Sequence, residues 1–153
     1  MPRSIFRTLL AAAALPLTAL AAPPDACTIV TVEDLNKIAG GSIEKTLVRK
    51  TGNPSECSFV DARKGSIVVI SLREVTYAAE NELQYERENL EKIYRSRAKW
   101  LTAVGENAFW LPGNKQLMFR KGKIIGSVAF SRPQNQNETD TAQVARLVEA
   151  QLK

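Results

Sequence analysis

Ser96-Arg97-Ala98-Lys99 sets a hydroxyl and an amine three residues apart, the spacing with which a lysine can activate a serine nucleophile for acyl transfer. Enzymes built on that pair also need an S-D-N tripeptide and a much longer chain. This sequence has no S-D-N and 153 residues in all, so the match is read as chance. Paired carboxylates are the next chemistry to weigh, as in glycoside hydrolysis. Glu44, Glu56, Asp61, Glu74 and Glu106 all stand among polar residues at expected strand ends and turns. None has the apolar surroundings that keep an acid protonated near neutral pH. The sequence contains no histidine, which removes imidazole triads, imidazole metal sites and the commonest general base. Its two cysteines cannot complete the four ligands of a structural zinc. Neither G-x-x-x-x-G-K-[ST] nor G-x-G-x-x-G occurs, so no phosphate-cradling loop is expected. Asn137-Glu138-Thr139 spells a glycosylation sequon, a pattern too short to carry weight. No catalytic residue, metal or cofactor is expected.

Residues suited to binding are more concentrated. Lys92, Arg95, Arg97 and Lys99 precede Trp100, an electropositive cluster with an aromatic anchor. Such a cluster suits an acidic protein partner or an anionic envelope polymer. The competing reading is a solvated helix end with Trp100 tucked into the core. Just beyond lies "VGENAFWLPGNK", Val104 to Lys115, in which Glu106 and Asn107 are the polar tips beside that cluster. Gly105 reads as a backbone hinge that needs a positive φ or a close approach. Phe109 and Leu111 alternate with Ala108 and Trp110 across two apolar faces, as a strand covered on both sides would. Pro112-Gly113-Asn114-Lys115 then turns the chain into a hairpin.

The compartment follows from the first residues. Arg3 and Arg7 precede an apolar run from Leu9 to Leu17, and Ala19-Leu20-Ala21 supplies a small-residue cleavage signal. This predicts a secretory signal peptide over 1–21, and the run is shorter than the roughly 20 residues of a spanning helix. Pro24-Asp25-Ala26 before Cys27 is not a lipidation box. The remaining 132 residues, 22–153, form one domain, and loss of Arg3 and Arg7 lowers the formal charge from +5 to +3. Cys27 and Cys57, an even pair in an oxidising compartment, predict one disulfide. Basic residues outside the cluster are scattered and the chain is exported, so nucleic acid is not an expected partner.

These groups need elements to hold them. Thr31-Val32-Glu33-Asp34 fits a capping pattern, Leu35, Ile38 and Ala39 form an apolar stripe, and Gly40-Gly41 stops that helix. Strands are expected over 43–51, 57–62 and 66–73. A long helix follows from Thr76 to about Arg97, with Ala79, Leu83, Leu90 and Ile93 or Tyr94 on one face. Its acids come early and its bases late, which complements the helix dipole without any ligand. Three more strands are expected near 108–111, 116–120 and 123–131. The polar loop "RPQNQNETD" comes next, and then a helix from Asp140 or Thr141 to Leu152. "RKGSIVVIS" (63–71) echoes "RKGKIIGSV" (120–128). The echo reflects a duplication or simply two good hairpin turns before β-branched strands. The order helix, three strands, helix, three strands, helix implies an α+β domain, an antiparallel sheet of about six strands covered by helices.

Cys27, "EDLNKIAGG", Cys57-Ser58-Phe59 and "VGENAFW" together resemble a group of small exported bacterial proteins of unknown function. The resemblance implies a PsbP-like α/β/α sandwich, and it carries over no catalytic residue. The functional expectation is a non-enzymatic periplasmic or secreted binding module, with Arg95, Arg97, Lys99, Trp100, Glu106 and Asn107 as its contact surface. Its partner would be another protein, with an immunity-type inhibitor of a periplasm-acting toxin as one variant. A small envelope ligand and an envelope structural or assembly role are the alternatives.

Overall fold

The computed structural model describes residues 22–153, and the signal peptide read at 1–21 lies outside the described residues. The N-terminal segment is fastened at once. Ala26 is fully buried and its N–H donates to Ser55 Oγ at 2.9 Å, while Cys27 is disulfide-bonded to the buried Cys57. Thr31 then caps α1 (Val32–Ala39) by accepting the Asp34 N–H, and Gly40 ends it at φ 78°, a conformation that costs glycine little. The Asn36 amide both donates to and accepts from the Ile43 backbone at 2.8 Å, which steers the chain into the sheet.

That sheet is antiparallel and seven-stranded. Its strands are β1 (Lys45–Lys50), β2 (Ser55–Val60), β3 (Ser66–Glu74), β4 (Lys99–Leu101), β5 (Asn107–Leu111), β6 (Gln116–Lys121) and β7 (Ile124–Phe130), in the order β1-β2-β3-β7-β6-β5-β4. Helix α2 (Ala79–Tyr94) follows β3, and α3 (Glu138–Gln151) closes the chain. The α+β class and the disulfide are as expected, while the strand number is corrected from about six to seven. The additional strand, β4, holds only three residues, too few for an alternating pattern to show.

Two helix boundaries are also corrected. Helix α2 begins at Ala79 and ends at Tyr94, bracketed by Ala78 and Arg95 with left-handed φ of 50° and 48°. The Glu91 carboxylate accepts the Ala98 N–H at 2.7 Å, which draws residues 95–98 off the helix axis. Helix α3 starts at Glu138, because Asn137 Oδ1 accepts the Asp140 N–H at 2.8 Å and so acts as its N-cap. The polar loop before it contains a 3-10 turn, Pro133–Asn135. Asn135 is buried there and donates to Asp140 Oδ2 at 2.9 Å.

The helices divide between two faces. Phe59, Val68, Ile70, Leu117, Phe119 and Val128 pack with Leu35 of α1 and with Val144, Ala145 and Val148 of α3. Phe109, Leu111, Met118 and Ile125 pack under Leu83 of α2. The β5 alternation read from the sequence is therefore met, with Ala108 and Trp110 on one face and Phe109 and Leu111 on the other. Phe119 lies opposite Gly126, and its ring occupies the space a Cβ there would need. The two RKG echoes sit in the β2–β3 and β6–β7 connections, and β3 and β7 meet at the centre of the sheet. The helices that follow those strands lie on opposite faces, so the halves are not equivalent.

Candidate functional site

Trp100 lies on edge strand β4 and is 47% exposed, so it is neither buried in the core nor fully free. Two contacts set its orientation. Phe109, its register partner on β5, meets the indole edge-on with centroids 6.0 Å apart. The Arg87 guanidinium from α2 lies 5.3 Å from the ring centroid, within cation–π range. Arg87 is in turn held by Glu91 at 3.0 Å, the same carboxylate that anchors Ala98 at the entry to β4. The indole is thus braced by two neighbours, Phe109 and Arg87. It separates a hollow of about 360 Å³, lined with Leu83, Gln84 and Asn107, from one of about 380 Å³ on the α3 side, lined with Lys99 and Arg146.

The six residues expected to form the contact surface are distributed as follows. Trp100 and Asn107 share the α2-side hollow. Lys99 stands beside Trp100 and contacts both carboxylate oxygens of Glu138 at 2.8 and 2.9 Å, which ties β4 to the first turn of α3. Arg95 and Arg97 are exposed on the short loop between α2 and β4. Glu106 is engaged within the fold. It pairs with Arg120 at 2.5 Å and accepts the Gly122 N–H at 3.0 Å, clamping the β6–β7 turn. Arg87 was missed by sequence reasoning, because nothing in its neighbours signals that a side chain of α2 reaches the Trp100 ring on β4.

A second surface was also missed. Register rows running across the sheet on the α2 side show how little of that side the helix covers. One row reads Lys50, Glu56, Ser71, Ser127, Met118, Phe109, Trp100 from β1 to β4. Its apolar half lies beneath α2, and its polar half is open. Strands stand about 4.8 Å apart and a helix is about 10 Å across, so one helix covers only two or three strands. At the boundary lies a cleft of about 300 Å³, lined by Pro54, Glu56, Ser71, Ser127, Gln116 and Leu90 among others. Arg73 of β3 forms its helix-side wall, paired with Glu82 at 2.9 Å and Glu86 at 2.7 Å. Its positive charge is therefore spent on holding α2.

The acyl-transfer spacing can be placed as well. Ser96 accepts the Gly113 N–H at 3.1 Å, and Lys99 is committed to Glu138. Lys50-Thr51-Gly52 spells the K-T-G tripeptide that accompanies such a pair in enzymes, but it starts at the last residue of β1, at the opposite edge of the sheet from β4. Six strand spacings, about 29 Å, separate the two edges, so these groups do not converge. The carboxyls held below their ordinary range are Asp34, chiefly by the Lys37 ammonium, and Asp61, chiefly by the Gly65 N–H with help from Arg132 and the Arg63 N–H. Lys121 is raised by its bond to Glu149 of α3. Each of these groups serves a cap, a turn or a sheet-to-helix tie. Among the described residues no cluster of three or more potential metal ligands occurs, and no helix is long and apolar enough to cross a membrane. No family model matches the sequence, and no curated protein matches it.

Proposed function

We propose that this chain is an exported, non-enzymatic binding module that engages another protein in the bacterial periplasm, with Trp100 as its anchor. The observation that carries the reading is the bracing of a half-exposed tryptophan by Arg87 and Phe109 between two hollows. Tryptophan and arginine dominate binding energy at protein interfaces, most of all where little side-chain freedom is lost on binding. Arg95 and Arg97 add positive charge to the rim, which suits a partner with an acidic surface. Neutralisation of a periplasm-acting toxin is one form such binding takes, and an envelope assembly role is the other. The disulfide and the order of helices and strands support export and the PsbP-like sandwich reading.

The test is crosslinking and pull-down from periplasmic extract at physiological salt, with wild-type chain and Trp100→Ala side by side. Loss of an interface anchor typically weakens binding by about 2 kcal/mol or more. The captured partner should therefore disappear from the variant while its melting temperature stays close to that of the wild type. Equal capture by both chains, or no partner for either, would overturn the proposal.

A further inference from the structure

The opposite edge of the sheet carries a second surface. All six residues of β1 are exposed, Leu47 to 51% and Val48 to 53%, and the strand is paired on one side only, with β2. Leu47 lies opposite Ser58 and Val48 opposite Cys57, so the two aliphatic side chains point to opposite faces. Lys45, Arg49 and Lys50 are also exposed and form no ion pair among the described residues; Arg49 reaches only the Ser58 hydroxyl, at 3.5 Å. The nearby acids are Glu44, at the start of the strand, and Glu56, in register with Lys50.

We infer that β1 receives an extended acidic segment of another protein as an additional strand. A free edge offers a row of unpaired backbone donors and acceptors, which only another backbone can satisfy in register. A membrane surface is a poor fit, because Leu47 and Val48 cannot both enter it from opposite faces of the strand. A second copy is opposed by charge. The two-fold antiparallel register centred on Leu47 brings Lys45 of each copy against Lys50 of the other, because the bulge at Arg49 sets both lysines on the face of Leu47, and like charges directly opposite are destabilising. The lysines that repel a second copy, and so protect the edge, attract a strand with acids at those positions. The inference shares with the preceding proposal only the premise that the chain binds proteins, since it places the partner on the edge remote from Trp100.

The test reverses the charge. Lys45→Glu converts both repulsive pairs of the two-fold register into attractive ones, and Lys45→Glu/Lys50→Glu makes both repulsive again. In sedimentation, wild type and the double variant should be monomeric, and Lys45→Glu should self-associate roughly tenfold more tightly or better. A blocked peptide alternating glutamate with valine should bind wild type saturably and slow hydrogen exchange at residues 45–50. The same peptide N-methylated on its bonding edge should bind roughly tenfold more weakly. A monomeric Lys45→Glu variant with no peptide protection would overturn the inference. So would equal binding of the N-methylated peptide, which would mean adsorption by charge alone, or a wild-type dimer through β1. Trp100→Ala should leave all these readouts unchanged, which separates failure here from failure of the Trp100 surface.

Discussion

Reducing the Cys27–Cys57 bond perturbs the fold at a single defined point. The two residues are 30 apart in sequence, and the loop they close contains all of α1 and β1. With a loop of that size, the chain-entropy relation gives about 12 cal/mol/K, or about 3.6 kcal/mol at 25 °C. For a 132-residue domain, unfolding entropies near 2.1 cal/mol/K per residue convert this to a drop of about 13 °C in Tm. Cys57 sits in the core and Ala26 beside it is fully buried, so the N-terminal segment should detach with its own apolar cover. The assay is urea unfolding followed by tryptophan fluorescence, with the oxidised chain compared against the reduced chain and against Cys27→Ala/Cys57→Ala. The reduced form should lose stability by roughly the loop term and show a slightly steeper denaturant slope, because its unfolded state is less compact. A loss below about 1 kcal/mol would refute the reasoning. It would show that α1 and β1 are held by their packing alone and that the unfolded chain is already constrained.

Two further outcomes follow from single residues. Gly105→Ala should destabilise the domain by roughly 2 kcal/mol or more, since φ is +57° and the added Cβ would collide with the Arg120 carbonyl; a melting temperature within a degree or two of wild type would show that the 104–106 backbone can shift. Asp61→Asn keeps the acceptor oxygen for the Gly65 N–H but removes the charge that faces Arg132. The folded-state pKa of Asp61 is depressed, so its contribution is fully present above the unfolded value of about 3.9 and is lost as pH falls through the folded value. Wild type should therefore be the more stable chain at pH 7, and the two stabilities should converge on acidification below about pH 4. Parallel acid-unfolding curves would count against the Asp61–Arg132 pairing.

Much of the architecture was legible wherever a local rule had no competitor. Thr31 with Asp34 and Gly40-Gly41 marked both ends of α1, and the runs of β-branched and aromatic residues marked six of the seven strands. The readings failed where a distant contact outweighed the local pattern. Periodicity carried α2 on to Arg97, but the Glu91–Ala98 bond and the packing of Ser96 against Gly113 bring the chain off the helix sooner. Ile93 was one of two choices for the apolar face; it is 69% exposed, and Leu90 is the side chain that packs with the α2-side core. Glu106 had the look of an exposed tip because its partners Arg120 and Gly122 lie on the next hairpin. Nothing local marks a carboxylate that will be used fourteen residues later.

By itself, the sequence determined the class of fold, the disulfide and the poverty of reactive groups. Those depend on residue types and short-range spacing: two cysteines, no histidine, hydroxyls before acids, glycines after stripes. Only the tertiary structure decided which surfaces are open. Trp100 is half-exposed because β4 happens to be an edge, and β1 is bare because the three helices among the described residues are too few to cover both faces of seven strands. Exposure is set by where elements end up in the sheet order, and that order depends on pairings between residues far apart in the chain. The residues around Trp100 could be named from the sequence, but no stretch of it marks β1 or β4 as the edge of a sheet.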